Sequence, residues 1–314
     1  MLAIAAFAIA AVAVASTSAG ADVLDTPTPA PVWTKTVGIM RVERFGSGNP
    51  ALILVPGLGC GTWVWRDTIA REVKRHAVYA VTLAGFDGVP LTPDAGLDAA
   101  DTSLATLIAT EKLDRPVLIG HSLGGFATLR FGTEHPALLR GVVSVDGLPV
   151  FPALAQSTPD QRAAAASRMG SAIAAQSPGE YEASQGQIMR DYVVDPAIAA
   201  RATTLVERSD QKAIALYAGQ LFAQDLRPQL PKLTLPGIIV APIPALPLPS
   251  YLPPELAQLT QDQRHAGMLA FYGTIIAGAP SLQIVPIDGA RHFAMLDQPD
   301  AFATALDTFI ASLH

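Results

Sequence analysis

Residues Arg115 to Gly132 read RPVLIGHSLGGFATLRFG. Within them Gly120-His121-Ser122-Leu123-Gly124 fits the spacing G-x-S-x-G. With glycine near 7% of residues, chance alone supplies about 0.1 such matches in a chain of this length, so the flanks decide what the pattern means. Upstream, PVLIG is a short apolar run of the kind that forms a buried strand. Downstream, LGGFATLRFGTEHP reads as a helix. Ser122 therefore sits where a strand turns directly into a helix. Gly120, Gly124 and Gly125 are what so sharp a turn needs: they relieve steric conflict around a strained residue and let the helix pack close. Such a turn lifts the hydroxyl above the sheet edge and aims the first helical N–H groups at the same space. That positive end can stabilise an oxyanion, with the Leu123 N–H as the natural donor. Ser122 is the candidate nucleophile; the alternative is a tight turn with a spare serine.

Outward from this stretch the same alternation continues. TVGIMRVERFG, ALILVPG, AVYAVTL, LRGVVSVDG, LPGIIVA and SLQIVPI read as strands. Trp65 to Arg75, LDAADTSLATLIATEKL, ELAQLTQDQRHAGMLAFYGTIIAG and DAFATALDTFIASL read as helices. Strands alternating with helices predict an α/β fold, a mostly parallel central sheet flanked by helices. The alternation breaks from about Leu148 to Leu226, a stretch rich in Ala, Gln and Ser with helical segments and no clear strand. The expected organisation is a core domain of residues 22–147 and 227–314 with an inserted helical cap over 148–226. PIPALPLPSYLPP from Pro242 predicts an extended loop, because repeated proline excludes both helix and central strand.

Composition bounds the chemistry. The chain has 314 residues, 50% hydrophobic and 15% charged, which supplies a sizeable core and excludes global disorder. A net charge of −6 argues against general nucleic-acid binding, which needs a basic face. Residues Leu2 to Ala15 form an apolar run followed by Ala19-Gly20-Ala21, a triplet suited to signal-peptidase cleavage before Asp22. Residues 1–21 thus read as a signal peptide, with export to the periplasm or outside the cell. The run is short for a membrane span. No Lys or Arg precedes it, so an uncleaved N-terminal anchor is the alternative. The lone Cys60 permits no internal disulfide and reads as a small buried residue. No H-E-x-x-H motif or Cys/His cluster occurs, so neither a catalytic metal nor a cofactor is expected.

GHSLGG, the upstream LILVPGLGCGTWVW and the downstream IDGARHFAMLDQPDAF together resemble the α/β-hydrolase superfamily, in the right order from about residue 36 to 312. The resemblance implies that the loop at Gly57-Leu58 gives a second oxyanion donor, the Leu58 N–H, with Pro56 where many relatives carry His. It implies a catalytic base at His292, after the last strand; the other five histidines read as surface or packing residues. A charged imidazole needs a carboxylate to fix its tautomer. Many relatives place that acid after the strand that here reads LPGIIVA, where only Glu255 lies within reach. Some carry it at the strand end occupied here by Asp146, which keeps the chain order Ser, Asp, His. Asp146, Glu255, Asp262 and Asp288 stay open, since an Asp at such a strand end can simply cap a turn. Trp63 and Trp65 could wall the acyl pocket or belong to the core.

The implied activity is a cofactor-independent serine hydrolase that cleaves a small-molecule carboxylic ester, or a lactone, of an apolar substrate through an acyl-enzyme. An amidase or acyltransferase would use the same residues. A non-catalytic ligand-binding member of the fold is the reading from another class.

Overall fold

A computed structural model describes residues 23–313, so the apolar N-terminal run and its cleavage site lie outside the described residues. The strands are β1 (Trp33–Val37), β2 (Met40–Phe45), β3 (Leu52–Val55), β4 (Val78–Leu83), β5 (Val117–His121), β6 (Gly141–Val145), β7 (Gly237–Ile243) and β8 (Leu282–Asp288). Among the described residues they make one sheet in the order β1-β2-β4-β3-β5-β6-β7-β8. All pairings from β4 to β8 are parallel, while β1–β2 and β2–β4 are antiparallel. From β3 the chain steps to β4 on one side and then to β5 on the other. A crevice opens at such a switch point, where α/β sheets bind ligands.

Two strand expectations change. The stretch TVGIMRVERFG is not one strand but part of a hairpin: β1 turns into β2 through Gly38, at a φ of +55° that side chains rarely adopt. Conversely, Pro242 lies within β7 rather than starting the loop. Residue 242 shares the orientation of Val240, whose carbonyl faces β6, but β6 pairs with β7 only as far as Val240. The missing proline N–H therefore falls where no neighbouring strand needs it.

The helices are α1 (Arg66–Glu72), α2 (Leu97–Thr110), α3 (Leu123–Glu134), α4 (Pro159–Ala175), α5 (Pro178–Tyr192), α6 (Pro196–Val206), α7 (Gln211–Ala223), α8 (Gln261–Ile275), α9 (Ala294–Asp297) and α10 (Pro299–Ser312). Strand residues divide between two cores, one on each side of the sheet: Ile53 and Val55 join α2 and α3, while Leu52 and Leu54 join α1 and α10. The four inserted helices, α4 to α7, are started by local sequence. Thr158 and Ser177 form capping boxes with Gln161 and Glu180, and Asp195 and Asp210 cap α6 and α7. Each such cap stabilises its helix by about 1 kcal/mol. Tyr217 of α7 packs into one core, and Met189 of α5 with Val206 of α6 into the other, so the cap is seated on both. This seating brings the C-terminal end of α5 to the loop after β8. Among the described residues no helix is long and apolar enough to cross a membrane.

Candidate active site

The turn from β5 into α3 is as tight as its glycines suggest. A Cβ on Gly120 would stand 2.0 Å from the Gly124 carbonyl oxygen, and one on Gly124 would stand 2.4 Å from that of Val55. One on Gly125 would stand 2.4 Å from Ser144 Oγ. No side chain fits at any of the three. Ser122 itself holds a φ of +54° and a ψ of −116°, which costs a non-glycine residue about 1–3 kcal/mol. Its side chain does not cap α3 and is left free above the sheet.

Three strand ends converge there. Ser122 N–H donates to the Val145 carbonyl at 2.9 Å, and Asp146 N–H donates to that of Val240 at 3.0 Å. Gly289 N–H donates to the Ile243 carbonyl at 2.8 Å. Each bond pins one departing chain to the next strand. Asp146, like Ser122, has a positive φ, +47°. Its Oδ2 accepts a hydrogen bond from His292 Nδ1 at 2.5 Å, so that nitrogen carries the proton and Nε2 is left to face outward as an acceptor. Both side chains are mostly buried, at 14% and 15% exposure. The other carboxylates held open lie elsewhere: Asp288 binds His265 at 2.9 Å, and Glu255 and Asp262 are exposed. Among the described residues no hydrogen bond joins Ser122 Oγ to His292. Nucleophile–base contacts commonly tighten only with substrate in place.

The oxyanion candidates are close by. Gly57 presses against the elbow so tightly that a Cβ there would be 3.2 Å from Ser122 Cβ and 2.7 Å from His121 Nδ1. The next N–H, that of Leu58, has no acceptor among the described residues. Leu123 is the first residue of α3, so its N–H has no partner within the helix. Trp65 and Trp63 are placed differently from a pocket wall beside the elbow. Trp65 is fully buried against Phe302 of α10, and Trp63 stacks on Phe293 at 6.5 Å with 5% exposure. Trp63 also borders a charged cleft of about 510 Å³ with Arg41, Asp87, Arg201 and Arg208; Ser122, Asp146 and His292 do not line it.

Four neighbours of the site carry no signal of that role in the sequence. His121 packs its ring 4.7 Å from that of His292. Tyr192, at the end of α5, lies 4.4 Å from the same ring, and Tyr251 of the proline-rich loop stands edge-on to Tyr192 at 5.3 Å. Tyr272 of α8 reaches Asp146. Helical spacing marks Tyr272 only as a core residue, and nothing local links any of the three tyrosines to Ser122. Among the described residues no group of three or more His, Cys, Asp or Glu side chains is placed to hold a metal ion.

A model of the alpha/beta hydrolase family matches residues 52–305. The chain is 26% identical over 282 residues to a pimeloyl-[acyl-carrier protein] methyl ester esterase of Aeromonas hydrophila, covering 86% of this chain and 99% of that protein. It is 28% identical over 133 residues to a (lyso)-N-acylphosphatidylethanolamine lipase of Homo sapiens, covering 40% of this chain and 37% of the lipase. A bromoperoxidase from Bacillus anthracis shares the fold with a TM-score of 0.69 at 18% identity, covering 89% of this chain and all of that one. With the family model spanning most of its length and the sheet order to match, the chain belongs to the alpha/beta hydrolase family.

Proposed function

We propose that this protein is a serine hydrolase that cleaves carboxylic esters of apolar small molecules through an acyl-enzyme. The observation that carries the reading is the Asp146–His292 pair, 2.5 Å apart, at the sheet end where Ser122 holds its positive φ. The esterase and lipase names of the relatives support the same bond type. Ser122 Oγ attacks the ester carbonyl carbon while His292 Nε2 takes its proton, and Asp146 stabilises the imidazolium through Nδ1–H. The N–H groups of Leu58 and Leu123 receive the oxyanion. As the tetrahedral species collapses, the leaving alkoxide takes the proton from His292 Nε2. Water then repeats the sequence on acyl-Ser122, releasing the acid and restoring the serine. The aromatic rings of Tyr192, Phe293 and Tyr251 around His292 favour an apolar substrate. A lactone presents the same acyl carbon to the same groups.

The test is hydrolysis of p-nitrophenyl esters from acetate to dodecanoate, with a lactone in the panel, by the wild type and Ser122→Ala. The variant is expected to lose about 10⁶ in kcat with its fold intact. Residual activity within about tenfold of wild type removes Ser122 as nucleophile. Export belongs to the same proposal: the exported protein begins at Asp22, and N-terminal sequencing checks it. Intact Met1 in a membrane fraction favours the anchor instead.

A further inference from the structure

Only one oxygen of the Asp146 carboxylate faces His292. The other, Oδ1, accepts a hydrogen bond from the Tyr272 hydroxyl at 2.5 Å. Tyr272 lies on α8, 126 residues further along the chain, and is 2% exposed. It belongs to an apolar core cluster that includes Ile275, Ile276 and Ala279. A phenylalanine would fill that space without the cost of burying a hydroxyl. What the hydroxyl adds is the bond to Asp146. The end torsion of an aspartate is broad and roughly two-fold, so a carboxylate held at one oxygen alone can turn about it. Held at both, it cannot.

We propose that Tyr272 is a positioning residue for the Asp146–His292 pair: its hydroxyl locks the carboxylate rotation that presents Oδ2 to Nδ1. The proposal rests on reading that pair as acid and base. Burial, with the Asp146 carboxylate beside it, holds the Tyr272 hydroxyl well above the usual tyrosine range, so it stays a donor wherever the protein is folded. The other titratable or charged groups around the pair are His121 and Tyr192 against the His292 ring, Tyr251 near Asp146, and Arg291 and Asp297 in the His292 loop. Among the described residues, none of them bonds to Oδ1.

The experiment is Tyr272→Phe in the mature chain, read in two ways. The first is the titration of His292 by NMR of ¹³C-labelled histidine, with the resonance assigned by its loss in His292→Gln. Without the hydroxyl the carboxylate turns away from Nδ1 and the imidazolium loses part of its partner, so the His292 pKa falls by about half a unit or more. In an Asp146→Asn background the same change has no effect on it. The second readout is ester hydrolysis: kcat falls about tenfold while KM stays within about twofold, and the acid limb of kcat/KM moves down with the titration. A His292 titration that is unchanged or raised in Tyr272→Phe overturns the proposal. The titration needs no substrate, so it decides about Tyr272 even if Ser122→Ala keeps full activity and the esterase reading falls.

Discussion

His121, the residue immediately before the candidate nucleophile, donates its Nε2–H to the backbone carbonyl of His292, the candidate base, at 3.1 Å. A carbonyl oxygen only accepts, so this nitrogen must carry the proton; Nδ1 has no partner among the described residues. The ring is fully enclosed between the rings of His292 and Phe293, at 4.7 and 4.5 Å. Burial first, and the neighbouring His292 second, hold its pKa well below the usual histidine range. It therefore stays neutral and donates through the pH range in which a serine hydrolase works. The sharp turn that carries Ser122 and the loop that carries His292 are tied together by one side chain.

Replacing His121 by phenylalanine keeps the ring and removes the donor, leaving the His292 carbonyl unpaired. The expected result is a fall of about tenfold in kcat with KM changed by less than about twofold, measured on a short p-nitrophenyl ester. The lowered pKa also has a stability signature. An unfolded histidine binds a proton near 6.5 and the folded one does not, so acid favours unfolding and stability rises with pH up to about 6.5. His121→Phe removes that slope. A variant with wild-type kcat and an unchanged acid limb of the thermal midpoint would refute the tie.

A buried carboxylate far from the site gives a pH dependence of the opposite sign. Burial pushes Asp101 of α2 up to about 7, against the opposing charge of Arg130. Its Oδ2 stands 3.1 Å from Arg130 Nε without forming an aligned hydrogen bond. With the folded value above the unfolded 3.8, the folded chain holds this proton more tightly. That contribution is complete below about pH 4 and is lost as the pH rises through 7. Asp101→Asn, neutral throughout, should gain on wild type by several degrees of thermal midpoint between pH 5 and 8.5. A difference that is flat across this range contradicts the assignment.

The elbow is legible in the sequence because everything that enforces it is local or backbone. Gly120 is needed by the carbonyl of Gly124, four residues on, and no choice of side chain elsewhere changes that. The candidate acid is harder to read, because choosing Asp146 over Glu255, Asp262 or Asp288 depends on how β6, β7 and β8 line up and on where each carboxylate finds another partner. His265 engages Asp288 for reasons that lie 23 residues away in the chain. His121 and Tyr272 are beyond sequence reasoning altogether: their partners are 171 and 126 residues distant, and each residue type alone reads as packing. Trp63 and Trp65 show the converse, since a position beside the oxyanion loop does not say which way a large ring turns. Here the rings turn to Phe293 and Phe302.

The glycines themselves can be ranked. A Cβ on Gly124 would meet the Val55 and Pro56 carbonyl oxygens at 2.4 and 2.6 Å, and backbone atoms cannot step aside without moving β3. A Cβ on Gly132, later in α3, would meet only the ends of Leu233 and Val142, at 2.9 and 3.0 Å. Gly124→Ala should destabilise by roughly 3 kcal/mol, or prevent folding, and Gly132→Ala by roughly 1 kcal/mol. Urea unfolding midpoints at constant m measure both. An equal cost at the two positions would mean that the β5–α3 turn relaxes freely.

Arg291 ties three segments over the site. Its Nη1 donates to the carbonyls of Arg190 at 2.9 Å and Val193 at 3.2 Å, at the end of α5, and its Nη2 donates to that of Pro247 at 3.0 Å. The backbone beside it is fastened as well: Asp297 accepts from the N–H groups of Arg291 and Val194, both at 2.8 Å. One planar guanidinium therefore holds the cap and the proline-rich loop against the loop of His292, and Tyr192 and Tyr251 keep their places around that ring. Arg291→Ala leaves three carbonyls to water and frees residues 244–253 from the His292 loop. The expected outcome is faster limited proteolysis within that stretch and a loss of about tenfold in kcat/KM, mostly in KM and greatest for long acyl esters. Arg291→Lys should restore little, because a single ammonium does not reproduce the fork. If the loop stays protected and KM is unchanged in both variants, the cover is held by its own packing, and the Asp191–Ser250 hydrogen bond of 2.6 Å is the contact to remove next.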